Sequence, residues 1–263
     1  MAIIHKYSKQ QPMNFEARIL DVEDSKLYHE VLEKAKKDFP IGYKHISNNI
    51  SADKATGSNF FFIALMEEIL GKKERIANLD DWGEMFSGGN FTKWVYFDSN
   101  QLILRSNKAT WKNNQPIIDD LTNKLGGQIK YSPENPLLIT GAKLVASTDK
   151  AYEINLNLDD ATIKNDERFA YGKNEIQLGN IPKPLWTKRD GLSRLCLGED
   201  DLGSDNVSLA SSGSGGRVAA LNAAGVLPEE MKQYLDKLEN EKKFLIEGLE
   251  KKYLQAMDIL KGR

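Results

Sequence analysis

The residue types that most often carry chemistry are sparse in this chain. Three histidines, His5, His29 and His45, all fall in its N-terminal part. None belongs to an HExxH, an HxH or a His-Cys pair, so neither a zinc-protease helix nor a paired metal site has a basis in the spacing. His29 stands among charged neighbours on an expected helix, which reads as a solvated face. Cys196 is the single cysteine, and that rules out an intrachain disulfide framework and a multi-cysteine zinc site. Between Leu195 and Leu197 it reads as a small buried hydrophobe rather than a nucleophile, although Arg189 and Arg194 are near in sequence.

Carboxylates are plentiful but adjacent: Asp80-Asp81, Asp119-Asp120, Asp159-Asp160 and Glu199-Asp200-Asp201. Neighbours in an extended chain point apart, so a hydrolase would have to draw two converging carboxyls from separate segments. The densest group is Glu199, Asp200, Asp201, Asp205 and Asn206, a set of hard oxygen ligands. Such a set suits Ca²⁺, but its spacing departs from an EF-hand loop, and the expectation is no resident cofactor, with calcium as the alternative. The run Ser211-Ser212-Gly213-Ser214-Gly215-Gly216-Arg217 offers consecutive backbone N–H groups of the kind that nest anions. It lacks the Gly-Lys-Ser/Thr of a phosphate loop, the dinucleotide fingerprint and the nucleophile elbow. The candidate binding residues are therefore Glu199, Asp200, Asp201, Ser204, Asp205, Asn206, Ser211, Ser212, Ser214 and Arg217, and no catalytic residue is assigned. Trp82, Trp94, Trp111 and Trp186, with tyrosines at 96, 131, 152 and 171, are enough aromatic surface for a ligand platform. Most are expected in the core, Trp94 and Tyr96 as a pair. The face around Trp111 and Trp186 is where binding moves if the acidic loop has no ligand.

Apolar spacing predicts the elements that hold these residues. A strand is expected over 14–21, then a helix from Ser25 through Leu27, Val31, Leu32, Ala35 and Phe39, stopped by Pro40. A second helix near Ser58 buries Phe61, Phe62, Leu65, Met66 and Ile69 and ends at Gly71, with strand or loop between the two helices. FTKWVYF and QLILRS read as a hairpin turning at Asp98-Ser99-Asn100. A helix opens at Pro116 and ends at Gly126-Gly127, and a hairpin follows with its turn at 147–150. The two prolines of NEIQLGNIPKPLW point to a surface section rather than a central strand. In 191–217, Leu192, Leu195, Leu197, Leu202, Val207 and Leu209 punctuate Gly, Ser and Asp, which a free linker does not need. Pro228, Glu229 and Glu230 open a long helix of about 45 to 50 Å with a leucine seam, expected to self-associate or dock. The sum is an α+β fold: a body over 1–180 with N-terminal helices and hairpins, a turn-rich display section over 181–225, and a C-terminal helix over 226–263.

Residues 191–221, GLSRLCLGEDDLGSDNVSLASSGSGGRVAAL, resemble the variable region of retroelement-diversified binding proteins. The likeness lies in fixed leucines, Arg194 and Gly216-Arg217-Val218 alternating with small polar residues. It implies display on a C-type-lectin-like fold and a phage or mobile-element origin.

At 263 residues with 36 basic and 38 acidic side chains, a net charge of -2 leaves no reservoir of positive charge for coating nucleic acid. No apolar run approaches the roughly 20 residues needed to span a bilayer, and a reducing compartment is the default. The leading expectation is a non-enzymatic binding or assembly protein presenting a polar loop surface to a protein or glycan ligand, cytoplasmic or, for a phage-borne chain, virion-associated. The alternatives are a hydrolase with converging carboxylates and a cytoplasmic regulator that docks a partner through its C-terminal helix.

Overall fold

The computed structural model describes residues 17–71, 74–87, 95–127, 129–198 and 200–222. The expected long helix over 226–263, with the association assigned to it, lies outside the described residues, as do His5, Trp94 and Glu199.

The described chain is mostly β, and this overturns the α+β expectation. A curled eight-stranded sheet is its centre, and the helices are short. Strand β1 (Ala17–Ile19) comes first, then α1 (Ser25–Asp38), α2 (Tyr43–Ile46), α3 (Phe60–Leu70), β2 (Glu74–Ile76) and α4 (Leu79–Ser87). The long β3 (Tyr96–Leu104), α5 (Gln115–Leu125), β4 (Leu137–Thr140) and the hairpin β5 (Lys143–Ala146) and β6 (Ile154–Asn157) follow. Then come β7 (Thr162–Asn165), β8 (Glu175–Leu178), β9 (Ile181–Thr187), β10 (Leu192–Leu197), β11 (Leu202–Asn206), β12 (Gly216–Arg217) and β13 (Ala219–Asn222). The large sheet runs β7-β4-β3-β10-β11-β9-β8, with β12 paired in parallel to the start of β3. A small sheet, β1-β13-β2, joins the two ends of the described chain.

The helices form where spacing and caps agree. α1 buries Tyr28, Val31 and Ala35, and Asp24 rather than Ser25 holds its N-cap position. Asn59 caps α3 by accepting from the Phe62 N–H, and Gly71 at φ 65° ends it. The stretch expected as strand or loop between them contains the one-turn α2 instead.

The hairpin expected at Asp98-Ser99-Asn100 does not exist: those residues lie inside the continuous β3. Turn-type residues survive there because each is buried with partners. Asp98 meets Arg194 and Ser58, Ser99 bonds the Leu195 carbonyl, and Asn100 donates to Glu67 and the Ala142 carbonyl. The section expected to be a turn-rich surface is likewise regular. Residues 175–187 form the β8–β9 hairpin, and β9 lies between β8 and β11. Its prolines are tolerated because β11 pairs only from Leu185 onward, while Pro182 and Pro184 sit where β9 has β8 as its one neighbour.

Two cores lie on opposite faces of the sheet. On the first face α1, α3 and α5 cover Leu102, Leu104, Leu137, Ile139 and Leu192. On the second, Phe97, Ile103, Leu195, Leu197, Leu202 and Leu185 pack with Trp82 of α4 and with Ala219 and Leu221 of β13.

Candidate binding face

Strand alternation divides the candidate residues between these faces. Across the register Leu197, Leu202 and Leu185 form one row pointing into the second core. Their successors point the other way, so Gly203 of β11 and Trp186 of β9 lie side by side on the first face. Here none of the described helices covers the sheet. Trp186 is 58% exposed, Glu175, Gln177, Pro182 and Pro184 are exposed around it, and Asp201 and Asp205 are half-buried. The result is an open patch of the curled sheet that carries one large, exposed aromatic ring.

Two features set the ring. Its Nε1 donates to Asp201 Oδ2 at 2.8 Å, which fixes the indole plane and satisfies its only donor. Asp201 is in turn placed by the β10–β11 turn, where the Gly198 N–H donates to the Asp201 carbonyl at 2.8 Å. Gly203 keeps the neighbouring position low: a β-carbon there would lie 3.0 Å from Cys196 Sγ. Cys196 itself is inert, since burial foremost and the nearby Asp98 push its thiol up to about 12.

Of the other candidates, Asp200 is exposed beside the patch, and Asp205 and Asn206 are half-buried on β11. Ser204 is no surface residue: it is fully buried, accepts from Arg105 Nη2 at 2.9 Å and donates to the Trp186 carbonyl at 2.8 Å. Its hydroxyl thus holds the backbone of the exposed tryptophan to a buried cation. That cation, Arg105, also donates to Ser193 Oγ at 2.8 Å, and burial lowers it to about 10, so it stays charged at neutral pH. Among the described residues no three His, Cys, Asp or Glu side chains converge as a metal ion requires.

Ser211, Ser212, Ser214 and Arg217 belong to a different place. Their loop is tied to the 48–58 segment and to β3: Asn49 Nδ2 donates to the Ser212 carbonyl, Ser212 Oγ accepts from the Ser58 N–H, and the Gly213 N–H donates to the Tyr96 hydroxyl. Gly216 is obligatory in this contact, because a β-carbon would come within 2.7 Å of Ser58 N. Beneath the loop, Ser58 Oγ donates to Asp98 Oδ2 at 2.6 Å, and Asp98 is held by Arg194 Nη1 at 2.5 Å, with both charged groups almost wholly buried. The ten candidates therefore split between the tryptophan face, the buried network and the serine loop, with Glu199 outside the described residues.

The sequence offers Trp186, with Trp111, as the alternative binding face, but not the direction of its side chain. The signal is the alternation Pro182, Pro184, Trp186 against Leu185, which places it opposite the core. Trp111 and Tyr171 are exposed too, whereas Trp82 and Tyr152 are in the core as expected and Tyr96 is half-buried. Comparison with known proteins finds no matching family model, no matching curated protein and no matching solved structure. No helix among the described residues is long and apolar enough to cross a membrane.

Proposed function

We propose that the protein is a non-enzymatic binding module whose open sheet face takes a glycan on Trp186. The observation that carries this reading is a tryptophan 58% exposed on a sheet interior, oriented by Asp201 and flanked by a residue with no side chain. A pyranose has one face of polarised C–H groups and a rim of hydroxyl donors. The C–H face stacks on the electron-rich indole, and the hydroxyls donate to acceptors beside it, here Asp201 and Asp205, with Glu175 and Gln177 farther along the same face. Rigid aromatic anchors with a few polar neighbours supply contact area at low entropic cost. The resemblance of 191–221 to a diversified variable region fits, since Asp200, Asp205 and Asn206 are exposed or half-buried positions where substitution leaves the buried leucines untouched. A cytoplasmic or virion-associated location goes with this reading.

The test is a screen of the full chain on immobilised neutral and acidic oligosaccharides, followed by calorimetry with the best binder. Trp186→Ala should weaken binding about tenfold or more, Trp186→Tyr should retain part of it, and Asp201→Ala should weaken it by freeing the ring. Binding to no oligosaccharide, or a Trp186→Ala protein that binds as the wild type does, overturns the proposal. Capture of basic peptides by the same face instead would replace the glycan with a protein ligand.

A further inference from the structure

The serine loop borders a second feature that the tryptophan face does not use. Between the 49–56 segment and the 213–217 loop lies an open groove of about 640 Å³. Asn49, Ser51, Lys54 and Thr56 line one side, and Ser214 and Arg217 the other. Its lining holds two cations and no carboxylate. The nearest acid in sequence, Asp53, is turned to His29 Nε2 at 2.9 Å.

The walls are built rather than incidental. The 49–57 segment carries three left-handed residues, Asn49 at φ 53°, Ala55 at φ 46° and Gly57 at φ 87°. Ala55 has no side-chain reason for that conformation. It is held by reciprocal backbone bonds between Ser51 and Thr56, and the Gly57 N–H bonds the Gly216 carbonyl across to the other wall. Arg217 Nη1 donates to the Ser214 and Gly216 carbonyls at 3.0 and 2.8 Å, so its guanidinium is fixed by its own loop and keeps Nε and Nη2 as donors. The hydroxyls of Ser51, Thr56 and Ser214 add three more donors at the rim.

We infer that this groove is a binding site for a phosphate monoester. One loop-held guanidinium and one lysine ammonium at the groove match a group of roughly -1.5 to -2 at neutral pH, whereas a single carboxylate would leave one cation uncompensated. Arg pairs two oxygens of such a group through its planar fork, Lys supplies a point charge, and the hydroxyls reach the third oxygen. Arg217 and Trp186 lie on strands four steps apart in the sheet, roughly 19 Å, so the site is separate from the glycan face.

The test uses the full chain, calorimetry and thermal melts with inorganic phosphate, a hexose phosphate and O-phosphoserine, with acetate as the control. Saturable phosphate binding is expected, weakened about tenfold by Lys54→Ala, weakened by Arg217→Lys and unchanged by Trp186→Ala. Lys54 is exposed, so its loss leaves folding intact even if Arg217→Lys loosens the loop. Tighter binding of the hexose phosphate assigns the group to a sugar, and tighter binding of phosphoserine assigns it to a peptide. No saturable binding of any phosphate, equal affinity in Lys54→Ala, or acetate binding as tightly as phosphate overturns the inference. Failure here with Trp186-dependent glycan binding intact leaves the proposed function standing, and the reverse also holds.

Discussion

The same sheet face is covered over β3, β4 and β10 and bare over β11, β9 and β8. Under the helices its polar residues are locked: Asp98 to Arg194 and Ser58, and Asn100 to Glu67. On the bare wing polar and aromatic residues meet solvent, and the opposite face alone anchors the strands through Leu202, Leu185, Ile176 and Leu178. The sheet is mixed, parallel at β11–β9 and β12–β3 and otherwise antiparallel, and here the hydrophobic anchoring of one face leaves the second open for recognition where no described helix is laid over it. Polarity in these strands therefore has two meanings. Over the helices it specifies pairing, and on the wing it is available to a ligand.

The strongest way to break this contrast is to remove one partner beneath the helices. Asp98→Ala leaves Arg194 charged, buried and unpaired, and truncating one half of such a pair typically costs about 3 to 5 kcal/mol. It should also loosen the serine loop, because Ser58 loses its acceptor while its N–H still holds Ser212. Chemical denaturation of the variant, with amide exchange at residues 208–217, checks both effects. A loss below 1 kcal/mol would mean that the pair is not part of what fixes β3 to β10.

That pair also shows where sequence reading stops. Apolar periodicity placed α1, α3 and α5, because each buries a stripe that a 3.6-residue repeat reports. The buried Leu192, Leu195, Leu197, Leu202 and Leu209 were legible for another reason, as apolar punctuation of a Gly, Ser and Asp run that a free linker does not need. Asp98-Ser99-Asn100 reads as a turn because the partners that hold it in a strand are 33 to 96 residues away, and local composition carries no trace of them. The prolines of β9 misled in the opposite sense. A strand with a neighbour along only part of one side is a property of the sheet, not of the strand. Of the binding face, the aromatic was visible as an alternative to the acidic loop, but its place beside Gly203 and Asp201 was not, because that depends on the pairing of β9 with β11.

A smaller effect of opposite sign tests whether the helical cover is itself under strain. Glu67 of α3 is drawn in beside Asn100, and burial pushes its carboxyl above the ordinary range, with Asn100 and Arg75 pulling the other way. For a carboxyl raised on folding, the folded chain binds the proton more tightly than the unfolded one. Its contribution is therefore most favourable below the unfolded value of about 4.3 and is lost as the pH rises through the folded value. Glu67→Gln keeps an acceptor for Asn100 without the buried charge. It should raise stability at neutral pH by on the order of 1 kcal/mol or less, and it should flatten the decline of the melting temperature above pH 4. A lower melting temperature in the variant at neutral pH, with no deficit below pH 4, would show that the charge stabilises the cover.

The smallest expected effect sharpens the comparison most, because it sets one tryptophan against another. Trp82 is fully buried in the second core, and replacement by alanine there should cost about 3 to 5 kcal/mol, as for a large aromatic in a packed interior. Trp186 loses little packing on truncation, since most of its surface already faces water and its hydrogen-bond partner Asp201 can return to solvent. Trp186→Ala should thus shift stability by no more than about 0.5 kcal/mol, the range of surface substitutions. Equilibrium denaturation of the two single variants side by side measures the difference directly. If Trp186→Ala proves as damaging as Trp82→Ala, the ring is part of the fold, and the bare wing is bare for a reason other than binding. If it is nearly neutral while oligosaccharide binding is lost, stability and recognition are carried by opposite faces of the same three strands.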